Sequence, residues 1–474
     1  MTFDAIGSVR GMSDDELATA NLLLKQLADK APRNFMRASI YDGKRAIRQV
    51  GTVIPPQYQR LGMVLGWVPK GVDALGRRCT LERFTWADGD LGSLGADLVF
   101  DQNYLRTEFN QALTSSFIHA VSFLVNVQGE DGEPRSLIMA RDAMNATGTW
   151  NRRRRALDDF ISVTGRAEDR PTSFVLYLDG VTISAEKIEG SWSATRSVHP
   201  WGVPVEVLSH RARLGRPFGS SRMTRPAISA QDAGVREVMR LEGHMDVYSF
   251  PELLLLGADG SVFKDEDGNT LASWQQMVGR VKGIPDDEDA ANPRASAIQI
   301  PASSPQPHLA NLNAQAKLCA REMSLPDTAL AITDVSNPTS AESYDASQYE
   351  LIAEAEGVLD DAATPLRRSF ARALAIQNGM TSVPDEWLSM SPKYRNPKFL
   401  ARSAEADAGA KQIGSVPWLA ETSVGLELLG LSEDQIRRAQ SERRRAQGSG
   451  IVSDLLQRAA ANVTADDNTG TTPA

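Results

Sequence analysis

Between Trp201 and Gly257 the chain passes through a strand, a basic loop, a long helix and a second strand, and few architectures accept that order. The apolar run Val203 to Leu208 reads as a strand. The loop from Arg211 to Pro226 is rich in Gly, Arg and Pro. A helix is predicted over 229–249: Pro226 stands just ahead of it, and Ser229 is followed three residues later by Asp232, a weaker form of the capping box. Val238, Leu241, Met245 and Tyr248 fall at steps of three and four and make one narrow apolar stripe for packing. Arg236, Glu237, Arg240, Glu242 and Asp246 take the other faces. At 1.5 Å per residue the helix spans roughly 30 Å. It ends before Pro251, which opens an apolar strand, Leu253 to Leu256. A helix with so narrow a stripe suits packing against the rest of a globule or against copies of itself in a ring.

An acidic, turn-rich insertion follows, Asp259 to Pro305, carrying Asp265, Glu266, Asp267, Asp286, Asp287, Glu288 and Asp289 against Lys264, Arg280, Lys282 and Arg294. Trp274 to Val281 reads as a short helix within it and Ala297 to Ile300 as a strand. Helix resumes at Leu309, with Leu312, Ala316, Cys319, Ala320 and Met323 at helical spacing up to Leu325-Pro326. Two helices, 229–249 and 308–324, thus flank one acidic insertion. That is the pattern of a stalk with something at its tip.

The remainder reads as α+β. Ser13 to Glu16 is a capping box, followed by Leu17, Leu22, Leu23, Leu24 and Leu27. Leu98 to Val127 reads as a helix capped by Asn103 or Asp101 that runs into a strand, Phe123 to Val127. Short strands are predicted at Leu137–Ala140, Ala156–Val163 and Phe174–Leu178. A loop, Ile332 to Pro338, precedes a long helix over 340–378 in which Pro365 marks a kink or a split and Gly379 a stop. Helices are expected at 401–413, after Ser423, and at 435–447 after Ser432-Glu433-Asp434. The tail 448–474 has the composition of a disordered segment.

The chemistry-bearing patterns are mostly absent. A net charge of -9 over 474 residues argues against a chain that coats DNA by neutralising phosphates. Neither Gly43-Lys44-Arg45 nor Gly71-Val72 completes a phosphate-binding loop. Gly219 precedes Ser220 and Ser221 but the following residue is Arg222, so there is no nucleophile elbow. His119, His199, His210, His244 and His308 show no metal-ligand pairing, and Cys79 and Cys319 stand far apart, which predicts a reducing compartment and no disulfide. The carboxylates Asp286 to Asp289 read as a solvated turn. Arg152 to Arg155, the one concentrated basic run, reads as a helix start pairing with Asp158 and Asp159, with a nucleic-acid patch as the alternative. Arg443 to Arg445 suit the last turn of a helix. The start, MTFDAIGSVRGMSDDE, lacks the pattern of a signal peptide, and no apolar run approaches a membrane span, so a soluble protein with no cofactor is expected.

Several separated stretches together resemble a known family. They are "RASIYDGKRAIRQVGTVIPP", "LVFDQNYLRTEFNQALTSSFIHAVSFLVNV", "PVEVLSHRARLGRPFGSSR" followed by a helix and "SFPELLLLG", "LCAREMSLPDTALAITDVSNPTSAESY", and "IGSVPWLAETSVGLELLGLSEDQIRRAQSERRRA". In this order they resemble the portal proteins of tailed bacteriophages, of the SPP1-like type common in phages of actinobacteria. The resemblance spans roughly 13–446.

It implies an α+β portal fold assembled as a cyclic ring of about 12 copies. The α/β wing would begin with 1–227. The stem helices would be 228–250 and 307–325, with a small α/β clip at 251–306 between them. Residues 326–400 would hold the channel loop, the long helix and the rest of the wing, 401–446 the helical crown, and 447–474 the tail. The implied function is a passive channel at one capsid vertex for DNA packaging and ejection. Implied partners are major capsid and scaffolding proteins, the terminase, a head–tail connector or adaptor, and duplex DNA sliding through without sequence-specific binding. Neither a membrane nor a metal is expected, and the implied location is the virion, with host cytoplasm during assembly. The DNA-channel loop would be Thr333, Asp334, Val335, Ser336, Asn337, Pro338 and Thr339. The clip residues Trp274, Gln275, Arg280 and Lys282 would meet the terminase or connector, although Arg280 and Lys282 equally suit pairing with Asp286 to Asp289. Rival readings are another virion part, such as a minor head or connector protein, and a DNA-processing enzyme.

Overall fold

Helix α1 (Asp14–Tyr41) starts on the predicted capping box: Glu16 Oε2 accepts from Ser13 N at 2.8 Å while Ser13 Oγ accepts from Glu16 N. The structure, a computed structural model, describes residues 4–45, 63–248, 252–256, 267–269, 296–300, 303–332, 346–398, 402–432 and 435–447. The chain divides into two units, Met1–Pro397 and Lys398–Ala474. The predicted helix 274–281, the loop 333–339 and the tail lie outside the described residues.

In the first unit α1 is followed by α2 (Trp67–Gly76), β1 (Leu81–Thr85), α3 (Ala96–Gln102), α4 (Leu105–His119) and β2 (Val121–Gln128). The expected helix from Leu98 is therefore broken at Asn103–Tyr104, and it runs into a strand as expected, from Val121 rather than Phe123. Tyr104 and Ala120 adopt left-handed backbone conformations, φ 47° and 86°. Asn103 does not cap a helix start. Its side chain donates to Val99 O and Ser136 O and accepts from Ile138 N at 2.7 Å, which satisfies an edge strand instead.

That edge strand is β3 (Ser136–Asp142), the outer member of an antiparallel sheet of order β3-β2-β9, where β9 is Val205–Ser209. Strand β2 is buried on both faces, which is why it reads as a continuous apolar run. Phe123 and Val125 point one way, and Leu124 the other. A second antiparallel sheet is a five-strand meander: β4 (Ala146–Asn151), β5 (Ala156–Ala167), β6 (Arg170–Leu178), β7 (Val181–Ile188) and β8 (Ser191–Val198). Its one face receives Leu23, Leu24 and Leu27 of α1 against Ile161, Phe174, Leu176 and Ile183. Its other face meets the three-stranded sheet through Phe160 and Tyr177, with the Phe123 and Phe160 ring centroids 4.8 Å apart.

Arg152 to Arg155 do not start a helix. They form the turn between β4 and β5, because Asn151 Oδ1 accepts from both Arg153 N and Arg154 N. Arg154 pairs with Asp158 as expected, while Asp159 accepts from Thr149 N.

The largest core gathers α2, α3, α4 and the later helices α5 (Arg225–Tyr248), α6 (Gln306–Glu322) and α7 (Tyr349–Gln377). Helix α7 passes through Pro365 without interruption, so of the kink or split expected there the split does not occur. The lost hydrogen bond is offset by burial of Leu359, Ala362, Leu366 and Phe370 on one face. Gly379, at φ 69°, ends it as predicted. Strand β12 (Ser391–Tyr394) then pairs with β1.

The second unit holds α8 (Arg402–Ser415) and α9 (Ser423–Leu428). Thr422, not Ser423, caps α9 through Gly425 N. A last helix over 435–447 is introduced by Ser432 and Gln435, each accepting from the other's backbone.

Candidate functional site

The two helices that flank the acidic insertion lie side by side and antiparallel, as three contacts along their length establish. Cys319 Sγ approaches Ala227 O, Glu237 meets His308 and Asn311, and His244 Nε2 donates to Ser303 O at 3.0 Å. Beyond them β10 (Glu252–Leu256) pairs with β11 (Ser296–Ile300) in antiparallel register, Glu252 opposite Ile300. The helix pair therefore continues into a two-stranded ribbon, and the insertion is held at both ends.

Helix α5 starts earlier than expected. Thr224 Oγ1 accepts from Ala227 N, Pro226 sits inside the first turn, and Asp232 pairs with Arg45 instead of capping. Proline suits that place because its missing N–H would have no helical partner there. On its own chain α5 buries Ala227, Ala230, Gln231, Val235, Glu237 and Met239. Of the predicted stripe, Val238 and Leu241 are half-buried and Met245 is 44% exposed, while the Tyr248 side chain lies outside the described residues. The face used internally is the one with small residues, where the Trp67 ring lies against Gly234. On α6 the predicted set Leu312, Ala316, Cys319, Ala320 and Met323 is buried.

Glu237 is the polar centre of this pair. Its side chain is 4% exposed, and it accepts from His308 Nδ1 at 2.7 Å, Asn311 Nδ2 at 2.8 Å and Arg240 Nη1 at 3.1 Å. Burial alone would push its carboxyl up, but these donors outweigh it and hold it below the usual range.

The root of the pair is a buried ionic node. Arg222 has no exposed side-chain surface; its guanidinium donates to Gly71 O and Met323 O and meets the Glu354 carboxylate on α7. Arg211 reaches the same carboxylate at 2.8 Å, and His210 Nε2 lies 3.7 Å from it while His210 Nδ1 donates to Ser220 O. Burial raises the Glu354 carboxyl, yet His210, Arg222 and Arg211 together bring it down to about 2. One guanidinium thus ties α2, the end of α6 and α7 to the loop that launches α5. None of Arg222, Glu354, His210 and Glu237 stood out in the sequence as a site, because no short spacing connects them.

The clip candidates Trp274, Gln275, Arg280 and Lys282 and the loop candidates Thr333, Asp334, Val335, Ser336, Asn337, Pro338 and Thr339 lie outside the described residues. Among the described residues there is no group of side chains able to hold a metal ion, and no helix long and apolar enough to cross a membrane. What the geometry offers is a braced pair of helices projecting a ribbon.

A family model described as "Phage portal protein, SPP1 Gp6-like" matches residues 21–449. The chain is 24% identical over 420 residues to the "Portal protein" of Mycobacterium phage L5, covering 85% of this chain and 83% of that protein. It is 24% identical over 438 residues to the "Portal protein" of Mycobacterium phage D29, covering 88% and 87%. Two solved structures, the neck of a native GTA particle computed with C12 symmetry and that of an empty particle with C6 symmetry, are similar at 15% and 17% identity. They cover 77% of this chain with TM-scores of 0.39 and 0.41, and 91% and 90% of their own chains.

Proposed function

The chain belongs to the phage portal protein family, SPP1 Gp6-like, and on that premise we propose that it builds the portal vertex of a tailed-phage head. About a dozen copies close into a ring around a channel, since heterologous contacts of the right rotation close on themselves. DNA enters the head through this channel and leaves by it. The chain itself performs no catalysis and carries no metal or cofactor. It works within the virion after assembling in the host cytoplasm.

In this reading α5 and α6 are the stem, 228–250 and 307–325, and the ribbon β10–β11 belongs to a clip at 251–306. Residues 1–227 with 326–400 form the wing and 401–446 the crown. The clip, through Trp274, Gln275, Arg280 and Lys282, meets the terminase and later the head–tail connector. The loop 333–339 lies nearest the duplex, and the acidic balance of the chain lets DNA slide without sticking. Major capsid and scaffolding proteins surround the ring.

The observation that carries this reading is the family match over 21–449, which takes in both helices and the insertion between them. Electron microscopy of the purified protein tests it: annular particles with a central hole are expected, and ATPase and nuclease assays should both be blank. Compact particles without a hole, or either enzymatic activity, would turn the reading toward a connector protein or a DNA-processing enzyme.

A further inference from the structure

Strand β8 is the last of the five-strand meander and therefore an edge. A tight turn pairs Ile188 of β7 with Ser191 of β8, and further along His199 N donates to Gly180 O at 2.9 Å. These two points fix the parity of the antiparallel ladder. Ser191, Ser193, Thr195 and Ser197 bond to β7, while Trp192, Ala194, Arg196 and Val198 turn their backbone N–H and C=O groups outward. Such a row is a template for another strand.

One rung of it is filled by residues ahead of α1. Arg10 N donates to Trp192 O at 3.0 Å, and Ala194 N donates to Arg10 O at 2.8 Å, a parallel bridge. The arm that supplies it, residues 4–12, is well fastened. Asn21 of α1 grips Ile6 twice: Ile6 N donates to Asn21 Oδ1 at 2.9 Å, and Asn21 Nδ2 donates to Ile6 O at 3.0 Å. Val9 is buried, and with Ile6 and Met12 it packs on the core between α1 and the meander. Gly11 sits so close over β8 that a Cβ would fall 2.6 Å from Ala194 O, and its φ of 94° suits glycine. Met12 N then donates to Val9 O, and the arm turns off the edge toward the capping box of α1. Beyond the arm, Arg196 pairs with Glu16 at 2.7 Å and Val198 is 77% exposed. Among the described residues no hydrogen bond from outside the meander reaches the outward backbone groups of these two.

We propose that residues 4–12 are an edge cap that keeps β8 of one copy from pairing with β8 of another. A neighbouring strand must lie about 4.8 Å from β8, and the arm occupies that place at Trp192 to Ala194. With the arm gone, Trp192 to Val198 become one continuous free edge. A second copy is the fitting occupant, because two identical edges brought together antiparallel about a two-fold axis offer each other the same outward donors and acceptors. Such a contact is isologous, so it joins assembled particles to one another instead of building a ring.

The test removes the arm from the full chain. Sedimentation velocity of a variant lacking residues 2–12 should show species heavier than the wild-type particle, increasing with concentration. The deletion also bares apolar surface that Ile6 and Val9 cover, so a second change separates edge pairing from general stickiness. Arg196→Pro removes an outward N–H and leaves the bonds to β7 in place, and it should return the shortened chain to the wild-type profile. Hydrogen exchange reads the contact directly: the amides of Arg196 and Val198 should exchange fast in the wild type and slow in the shortened chain. Gly11→Ala in the full-length chain, which lifts the arm without deleting it, should shift both readouts the same way to a lesser degree. A shortened chain of wild-type size, or heavy species that persist with Arg196→Pro, overturns the proposal. Should the shortened chain lose its circular dichroism, Gly11→Ala decides alone, and wild-type sedimentation with unchanged exchange at Arg196 and Val198 overturns it.

Discussion

Arg222 and Glu354 form a largely buried ion pair: the arginine side chain has no exposed surface, the glutamate side chain is 13% exposed, and Gly71 O and Met323 O take two of the other arginine donors. The pair joins the loop before α5 to the long helix α7. It fastens the root of the α5–α6 pair to the rest of the first unit.

Breaking that pair from one side should be severe. Glu354→Gln leaves a buried guanidinium without its counter-charge, and a loss of about 3–5 kcal/mol is expected. Denaturant titration of the purified variant measures it. The double variant Arg222→Met with Glu354→Leu should recover part of the loss, since it removes both charges. A single variant costing less than about 1 kcal/mol would contradict the buried-pair description.

Acid should destabilise the chain in two steps. His119 is buried, and burial is the main reason its pKa falls from 6.5 to about 4, with Arg37 adding to the fall and Asp142 and Asp42 opposing it. Its folded value is depressed, so its contribution is present above pH 6.5 and is lost as pH falls from 6.5 to 4. Glu354, depressed from 4.5 to about 2, contributes above pH 4.5 and loses that contribution between 4.5 and 2. Stability against pH, measured for the wild type, His119→Gln and Glu354→Gln, should lose the upper slope in the first variant and the lower slope in the second. Parallel curves for all three would refute the assignment.

Glu237 holds α5 to α6 through three donors. Glu237→Ala strands His308, Asn311 and Arg240 and should cost about 1–3 kcal/mol, felt locally. Hydrogen exchange is the direct readout. Amides of 230–245 and 306–318 should exchange faster, with those of β5 and β6 unchanged. Acceleration spread evenly over the chain would show that the helix pair is not an independent module.

Cys79 and Cys319 are buried, and burial pushes both thiols up to about 12. Neither should react with a thiol reagent at neutral pH in the native protein, and both should react after unfolding. Rapid native labelling of either would mean that the core around α2 and α6 opens readily.

The sequence made some of this architecture legible because local signals agreed with tertiary demand. Ser13 with Glu16 begins α1 as expected, and Leu312, Ala316, Cys319 and Ala320 are the buried face of α6, with Met323 buried at its C-cap. The two apolar strands after Pro251 and before Pro301 pair with each other. The misses have physical causes. Strands β7 and β8 carry Ser, Thr, Glu, Lys and Arg on an exposed face, so no apolar alternation announced them. The break at Asn103 and Tyr104 is imposed by the edge of β3, which claims the Asn103 side chain. Pro365 stays in its helix because the surrounding core outweighs the local penalty. The node of Arg222, Glu354 and His210 is assembled by the fold from distant segments, and family likeness pointed to the region without naming those residues.

The central claim is closed cyclic assembly, and particle mass tests it most directly. Mass photometry of the purified protein should show one dominant species near twelve times the 51.5 kDa chain mass, persisting on dilution and across salt concentrations. A population that stays at one or two chain masses at high concentration would contradict the account.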